Sequence, residues 1–133
     1  MTFILNSVLN LFKPTGPTSF DMVWSVRKAL GVKKAGHIGT LDPMAEGVLP
    51  ICLNRSTRII QFLTPLQKTY CATLELGSET DTQDSTGKKV SFGDPAMVTN
   101  SKIKQVFQTF VGQQDQIPPM YSAKKKNGIP LYK

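Results

Sequence analysis

The stretch Gly36-His37-Ile38-Gly39-Thr40-Leu41-Asp42-Pro43-Met44-Ala45-Glu46-Gly47-Val48-Leu49-Pro50 limits what this chain can fold into more than any other. Three glycines and Pro43 weaken helix and strand alike, so residues 32–47 read as a loop that the rest of the chain must support. The loop presents Asp42, and it holds the only histidine of the chain, His37. A carboxylate held stiffly between Gly39 and Pro43 suits a nucleophile or general base. The same Asp-Pro pair also suits a cap on a short helical turn. His37 reads either as an acid/base or stacking ring, or as a loop histidine bonded to a nearby carbonyl.

Short periodic segments flank this loop. Val8 to Phe12 reads as a strand, followed by the turn Lys13-Pro14-Thr15-Gly16-Pro17-Thr18. Ser19 suits an N-cap, with Asp21 in the first turn. Phe20, Val23, Trp24 and Leu30 fall near one stripe, and Gly31 can end the helix, which predicts helix over 19–30. Val48 to Leu53 reads as a buried strand and Ser56 to Leu63 as a short helix. Lys68 to Leu76 alternates like a strand, Gly77 to Gly87 is a polar turn, and Lys88 to Phe92 returns. Asn100 caps a second helix with Ile103, Val106, Phe107 and Phe110 on one face, ended by Gly112. Ile117-Pro118-Pro119 is extended, and Tyr121 to Lys126 reads as a strand. The mixture predicts an α+β domain with a mixed, largely antiparallel sheet and flanking helices.

The chain has 133 residues, the size of one domain, and 40% apolar residues, enough for one core. A net charge of +7 and a pI of about 9.6 suit a polyanionic partner, most simply nucleic acid. Lys13, Arg27, Lys28, Lys33, Lys34, Arg55, Arg58 and Lys68 lie around the Asp42 loop, and Lys124 to Lys126 form a later run. The acids Glu75, Glu79, Asp81 and Asp84 mark a segment turned away from phosphates. Cys52 and Cys71 sit in apolar runs and read as buried free thiols of a reducing cytoplasm. The apolar stretch Met1 to Phe12 lacks the basic start and small-residue cleavage site of a signal, and no run reaches membrane-span length.

No zinc site follows from one histidine and two separated cysteines, and there is no nucleotide-binding fingerprint. The Asp42 segment, however, resembles the aspartate motif of the TruB family of pseudouridine synthases. Four further segments match that family in order. Lys13 to Ser19 resembles its N-terminal lysine-proline-glycine-serine motif. Lys68-Thr69-Tyr70 resembles the strand that carries its active-site tyrosine, and Gly77 to Asp84 the acidic turn after it. Gln116 to Gly128 resembles its later proline-tyrosine-serine-alanine box.

The resemblance implies a pseudouridine synthase catalytic fold, the tRNA T-stem-loop as partner, and isomerisation of the uridine at position 55. It implies Asp42 as the catalytic aspartate and Tyr70 as the ring that stacks on the target base. His37 is implied to help extrude the nucleotide, Lys13 and Pro14 to support the catalytic loop, and Gly39, Thr40 and Leu41 to line the substrate. No redox or group-transfer cofactor, metal or membrane is called for. The family's catalytic domain continues further, with an arginine that pairs with the aspartate, and a PUA domain often follows. Residues 1–133 are therefore expected to be the N-terminal part of a catalytic domain, weakly active or inactive as given. The segment Asn54-Arg55-Ser56-Thr57-Arg58 departs from the family, which usually has glycine at the first place and lysine at the last. Two rival readings are a non-catalytic RNA-binding module on the same scaffold and a hydrolase that uses Asp42.

Overall fold

The structure, a computed structural model, describes residues 6–118 and 125–130. The chain forms two compact units, Met1–Tyr70 and Cys71–Lys133.

The first unit is built on a three-stranded antiparallel sheet. Strand β1 (Val8–Lys13) and β2 (Ala35–His37) flank a central β3 (Gly47–Leu53). The register sets Leu9 opposite Ile51, Leu11 opposite Leu49 and Lys13 opposite Gly47, so these residues share one face. Helix α1 (Ser19–Leu30) packs on that face, where Val23 and Val26 meet Leu49, Ile51 and Leu53. Leu9, Leu11, Met22, Val32, Ala35 and Leu41 extend this core. The other face carries exposed Val8 and Phe12 beside Val48. A 3-10 turn (Asn54–Ile59) and a one-turn helix α2 (Ile60–Leu63) follow β3.

The expected helix over 19–30 is present, but two of its details change. Thr18, not Ser19, is the N-cap: its hydroxyl accepts from the Asp21 amide, and the Asp21 carboxylate accepts from the Thr18 amide at 2.8 Å, a reciprocal capping box. The buried line is Ser19, Val23 and Val26, at i, i+4 and i+7, while Phe20 and Trp24 stay exposed and Lys28 lies over the Trp24 ring. A polar residue therefore occupies a place on the core stripe. Gly31 ends the helix with φ 60°, the left-handed conformation of a C-cap.

The Asp21 carboxyl is held below the ordinary aspartate value by the Thr18 hydroxyl first and the Thr18 amide second. A depressed folded-state pKa contributes stability that is present above the unfolded value and lost as pH falls through the folded one. Amide exchange in the first turn of α1 is therefore expected to quicken at acid pH. Asp21→Ala should quicken it already at neutral pH.

The region expected to be loop, 32–47, contains β2, whose three residues Ala-Gly-His show no alternation and are ordered by pairing with β3 and by Ala35 packing on the core. The helix expected over 56–63 is divided into the 3-10 turn and α2. Asn54, which stands where the family usually has glycine, has φ 49°. Asparagine tolerates that conformation better than other side chains. Here its Oδ1 also accepts from the Lys34 amide at 3.3 Å, while its own amide donates to the Lys34 carbonyl at 2.7 Å. Asn54→Ala is expected to cost about 1 kcal/mol and Asn54→Gly only a few tenths, read as thermal midpoints.

The second unit contains two hairpins and a helix. Strand β4 (Ser78–Thr80) opens inside the expected turn region and pairs with β5 (Lys89–Phe92). Between them Asp84 accepts from the Thr86 amide and from the Thr82 and Thr86 hydroxyls. These bonds, the Thr86 hydroxyl first, lower its pKa. Helix α3 (Asn100–Thr109) is capped by the Thr99 hydroxyl rather than by Asn100. Its apolar stripe is largely exposed at Val106, Phe107 and Phe110. Strands β6 (Lys125–Lys126) and β7 (Ile129–Pro130) form the second hairpin. The rest of the strand expected over 121–126, and Pro119, lie outside the described residues.

The strand expected over Lys68 to Leu76 does not form. Its alternation finds no ladder partner among the described residues, and Tyr70, Leu74 and Leu76 are exposed. Alternation alone specifies a strand only where an edge is offered to it. No described helix is long and apolar enough to cross a membrane.

Candidate active site

The Asp42 loop is gripped through its backbone from both sides. Lys13 ends β1 on the core-facing line and is 0% exposed. Its ammonium donates to the carbonyls of Pro14 at 3.1 Å, Pro43 at 3.3 Å and Ala45 at 2.7 Å. The amide of Gly16 donates to the Pro43 carbonyl at 2.7 Å, from a backbone at φ 112° that favours glycine. On the other side, the Ser19 hydroxyl donates to the Leu41 carbonyl and accepts from the Leu41 amide, both at 2.9 Å. Between these clamps the Ala45 amide closes a turn onto the Asp42 carbonyl at 3.0 Å.

The side chain of Asp42 is left to solvent. It is exposed, caps no helix, and makes no ion pair or side-chain hydrogen bond among the described residues. The helix-cap alternative is thus not what the loop adopts.

His37 ends β2, half-buried, and its Nδ1–H donates to the Gly39 carbonyl at 2.6 Å. Because a carbonyl only accepts, this bond fixes the proton on Nδ1. Gly39 has φ 83°, and a Cβ there would lie 3.0 Å from Cε of Lys68. The Lys68 ammonium in turn donates to the carbonyls of Thr64 and Leu66.

On the face of the sheet away from α1 lies a cavity of about 560 Å³. Its wall includes Gly39, Thr40, Leu41, Val48, Leu66 and Tyr70, a size and apolar character suited to a small ring. Tyr70 is 64% exposed at its rim. The fold thus brings Tyr70 together with Gly39, Thr40 and Leu41. Asp42 and His37 flank that wall along the chain without lining it.

Lys13, which the resemblance implies to support the loop, is turned inward onto its carbonyls and so drops out of the basic group suited to a polyanion; the Lys68 amine is likewise engaged with backbone. Lys33, Lys34, Arg55 and Arg58 remain exposed. Ser19, expected as an N-cap and as the last residue of the N-terminal motif, stands instead on the core stripe of α1. The signal was its spacing of four from Val23 and seven from Val26.

A family model described as TruB family pseudouridylate synthase (N terminal domain) matches residues 27–133, most of the chain. The chain belongs to the TruB family. Curated TruB relatives agree along almost its whole length. The tRNA pseudouridine synthase B of Syntrophotalea carbinolica is 49% identical over 97% of the chain and 42% of its own length. That of Clostridium perfringens is 48% identical over 96% of the chain and 44% of its own length. The chain therefore spans less than half the length of these TruB relatives. Among solved structures, a Cbf5-Nop10-Gar1 complex matches with 38% identity and a TM-score of 0.62, over 89% of this chain and 30% of the matched one. An H/ACA RNP bound to a substrate RNA containing 2'-deoxyuridine matches with 36% identity and a TM-score of 0.58, over 84% and 29%. The α+β fold expected from the sequence, with its described strands paired antiparallel, is thus shared with chains of these two complexes.

Proposed function

We propose that this chain is the N-terminal part of the catalytic domain of a tRNA pseudouridine synthase, acting on the uridine at position 55 of the T-loop. Asp42 is the catalytic carboxylate. The observation that carries the reading is an exposed acid on a backbone held at Leu41, Pro43 and Ala45, beside a cavity rimmed by an aromatic ring. Relatives named tRNA pseudouridine synthase B and a matched structure holding a substrate RNA support RNA as the partner.

The chemistry asks for such a site. The C1′–N1 bond breaks, the uracil turns, a C1′–C5 bond forms, and the proton on C5 leaves to solvent while N1 gains one. A stacked nucleotide cannot do this, so it is first flipped out, at about a few kcal/mol, less in a loop than in a duplex. His37 fills the vacated place in the stack. Asp42 reacts at C6 or C1′ of the nucleoside, or takes the proton from C2′. Tyr70 holds the detached base by stacking, worth about 1–3 kcal/mol. Gly39, Thr40 and Leu41 form the wall against which the base turns, and Lys13 and Pro14 keep the loop in place. The isomerisation is redox-neutral and transfers no external group, so it calls for no cofactor. Both cysteines are free thiols, Cys52 buried as expected and Cys71 exposed against expectation, because the strand that was to bury it does not form; unpaired thiols support a cytoplasmic setting.

Release of tritium from tRNA labelled at C5 of uridine tests the reading. Slow release by the chain, with protein in excess, is expected. Strand scission or free uracil would instead mark a hydrolase and end the proposal. A second reading, an RNA-binding module without turnover, is favoured by one observation: no described cation pairs with the Asp42 carboxylate. Binding of tRNA with no release would decide for it.

A further inference from the structure

We infer that Ser19 is a positioning residue for Asp42, setting where the carboxylate stands through the backbone of Leu41; this rests on the reading of Asp42 as the reacting group. Ser19 opens α1 and is 2% exposed. One hydroxyl supplies a single proton and two lone pairs, so it can donate to the Leu41 carbonyl and accept from the Leu41 amide at once. Both contacts are 2.9 Å. They tie the residue immediately before Asp42 to the first turn of a helix that is itself immobilised. Thr18 and Asp21 cap that turn, and Val23 and Val26 are buried against β3.

The other clamp acts only downstream, on Pro43 and Ala45. With Ser19 gone, Asp42 would be held closely on its downstream side only, the nearest upstream ties being the His37–Gly39 bond and the Ile38 amide on the Pro50 carbonyl. The Leu41 amide and carbonyl would also lose their buried partner. A serine at a core-stripe position is otherwise a poor choice, because an apolar residue would pack there at least as well. The hydroxyl is explained by what it holds, and Leu41 also belongs to the cavity wall.

The test compares Ser19→Thr with Ser19→Val, two side chains of nearly equal shape of which only threonine keeps the hydroxyl. Because a displacement of about 1 Å can cost about a hundredfold in rate, Ser19→Val is expected to slow tritium release about a hundredfold, while Ser19→Thr stays within about threefold of the parent chain. Affinity for tRNA should be the same in both. Exchange of the Leu41 amide should quicken about tenfold or more in the valine variant and not in the threonine one. Equal release by the two variants, or equal Leu41 exchange, overturns the inference. If Asp42→Asn releases tritium at the parent rate while Leu41 exchange still responds to Ser19→Val, the clamp is intact but the choice of acid has failed, and the positioning role falls with it.

Discussion

Asp42→Asn is expected to remove tritium release by about a thousandfold or more while tRNA affinity stays within about twofold. Asparagine keeps the shape and the polarity of the side chain but cannot act as a nucleophile or take a proton. The structure predicts a clean loss, because the Asp42 side chain holds nothing together. Its carboxylate makes no described hydrogen bond or ion pair, and the loop is fixed by the groups around it. The variant should therefore unfold at the same urea concentration as the parent. Retained release would remove Asp42 from the chemistry. Lost release with a large fall in stability would mean that the side chain has a structural duty not visible in its surroundings.

Lys13→Met is expected to do the reverse, weakening the fold and the activity together. Methionine nearly matches the lysine stem, so the change isolates the ammonium. Three carbonyls accept from it, but Pro43 keeps the Gly16 amide as a second donor. Pro14 and Ala45 are the carbonyls deprived of their lysine partner. A buried acceptor left unpaired costs about 1–3 kcal/mol, but Pro14 is exposed and Ala45 half-buried, so water takes up part of that loss. Against this stands the desolvation of the ammonium itself, several kcal/mol in a dry setting, which the variant no longer bears. The net loss is therefore placed near about 2 kcal/mol rather than at the sum of the lost bonds. Equilibrium urea unfolding measures it, as a lower midpoint with an unchanged slope. Should the midpoint not move, the three carbonyls are not what keeps the loop in shape.

The elements that periodicity encodes were readable along the chain. Val8 to Phe12, residues 19–30, Val48 to Leu53 and Lys88 to Phe92 each carry a period of 2 or 3.6 or a buried apolar run, and each forms within a residue or two of its expected bounds. Strand β2 was not readable, because Ala-Gly-His has no pattern and owes its conformation to β3. The segment 68–76 shows the converse, a pattern with no described edge to receive it. The candidate site residues rest on a family motif rather than on local chemistry, since a loop aspartate by itself reads more readily as a cap. The motif implied that Lys13 supports the loop, but not that it does so through peptide carbonyls, nor that Ser19 takes part. A lysine in a basic chain suggests phosphate, yet Lys13 faces inward because its place on β1 alternates with Val8, Asn10 and Phe12. Ser19 was hidden for a related reason: counting only apolar residues shifts the α1 stripe by one position, onto Phe20 and Trp24.

The grip on the downstream side of the loop falls on peptide oxygens, and every amino acid owns one. Lys13 and Gly16 read no side chain at Pro43 or Ala45, and Met44 between them is untouched by either. Substitutions at residues 44 and 45 can therefore accumulate without disturbing the acid, whereas a change at residue 13, thirty positions before Pro43 in the chain, cannot. Mutational tolerance in this protein should follow the donors and not proximity to Asp42.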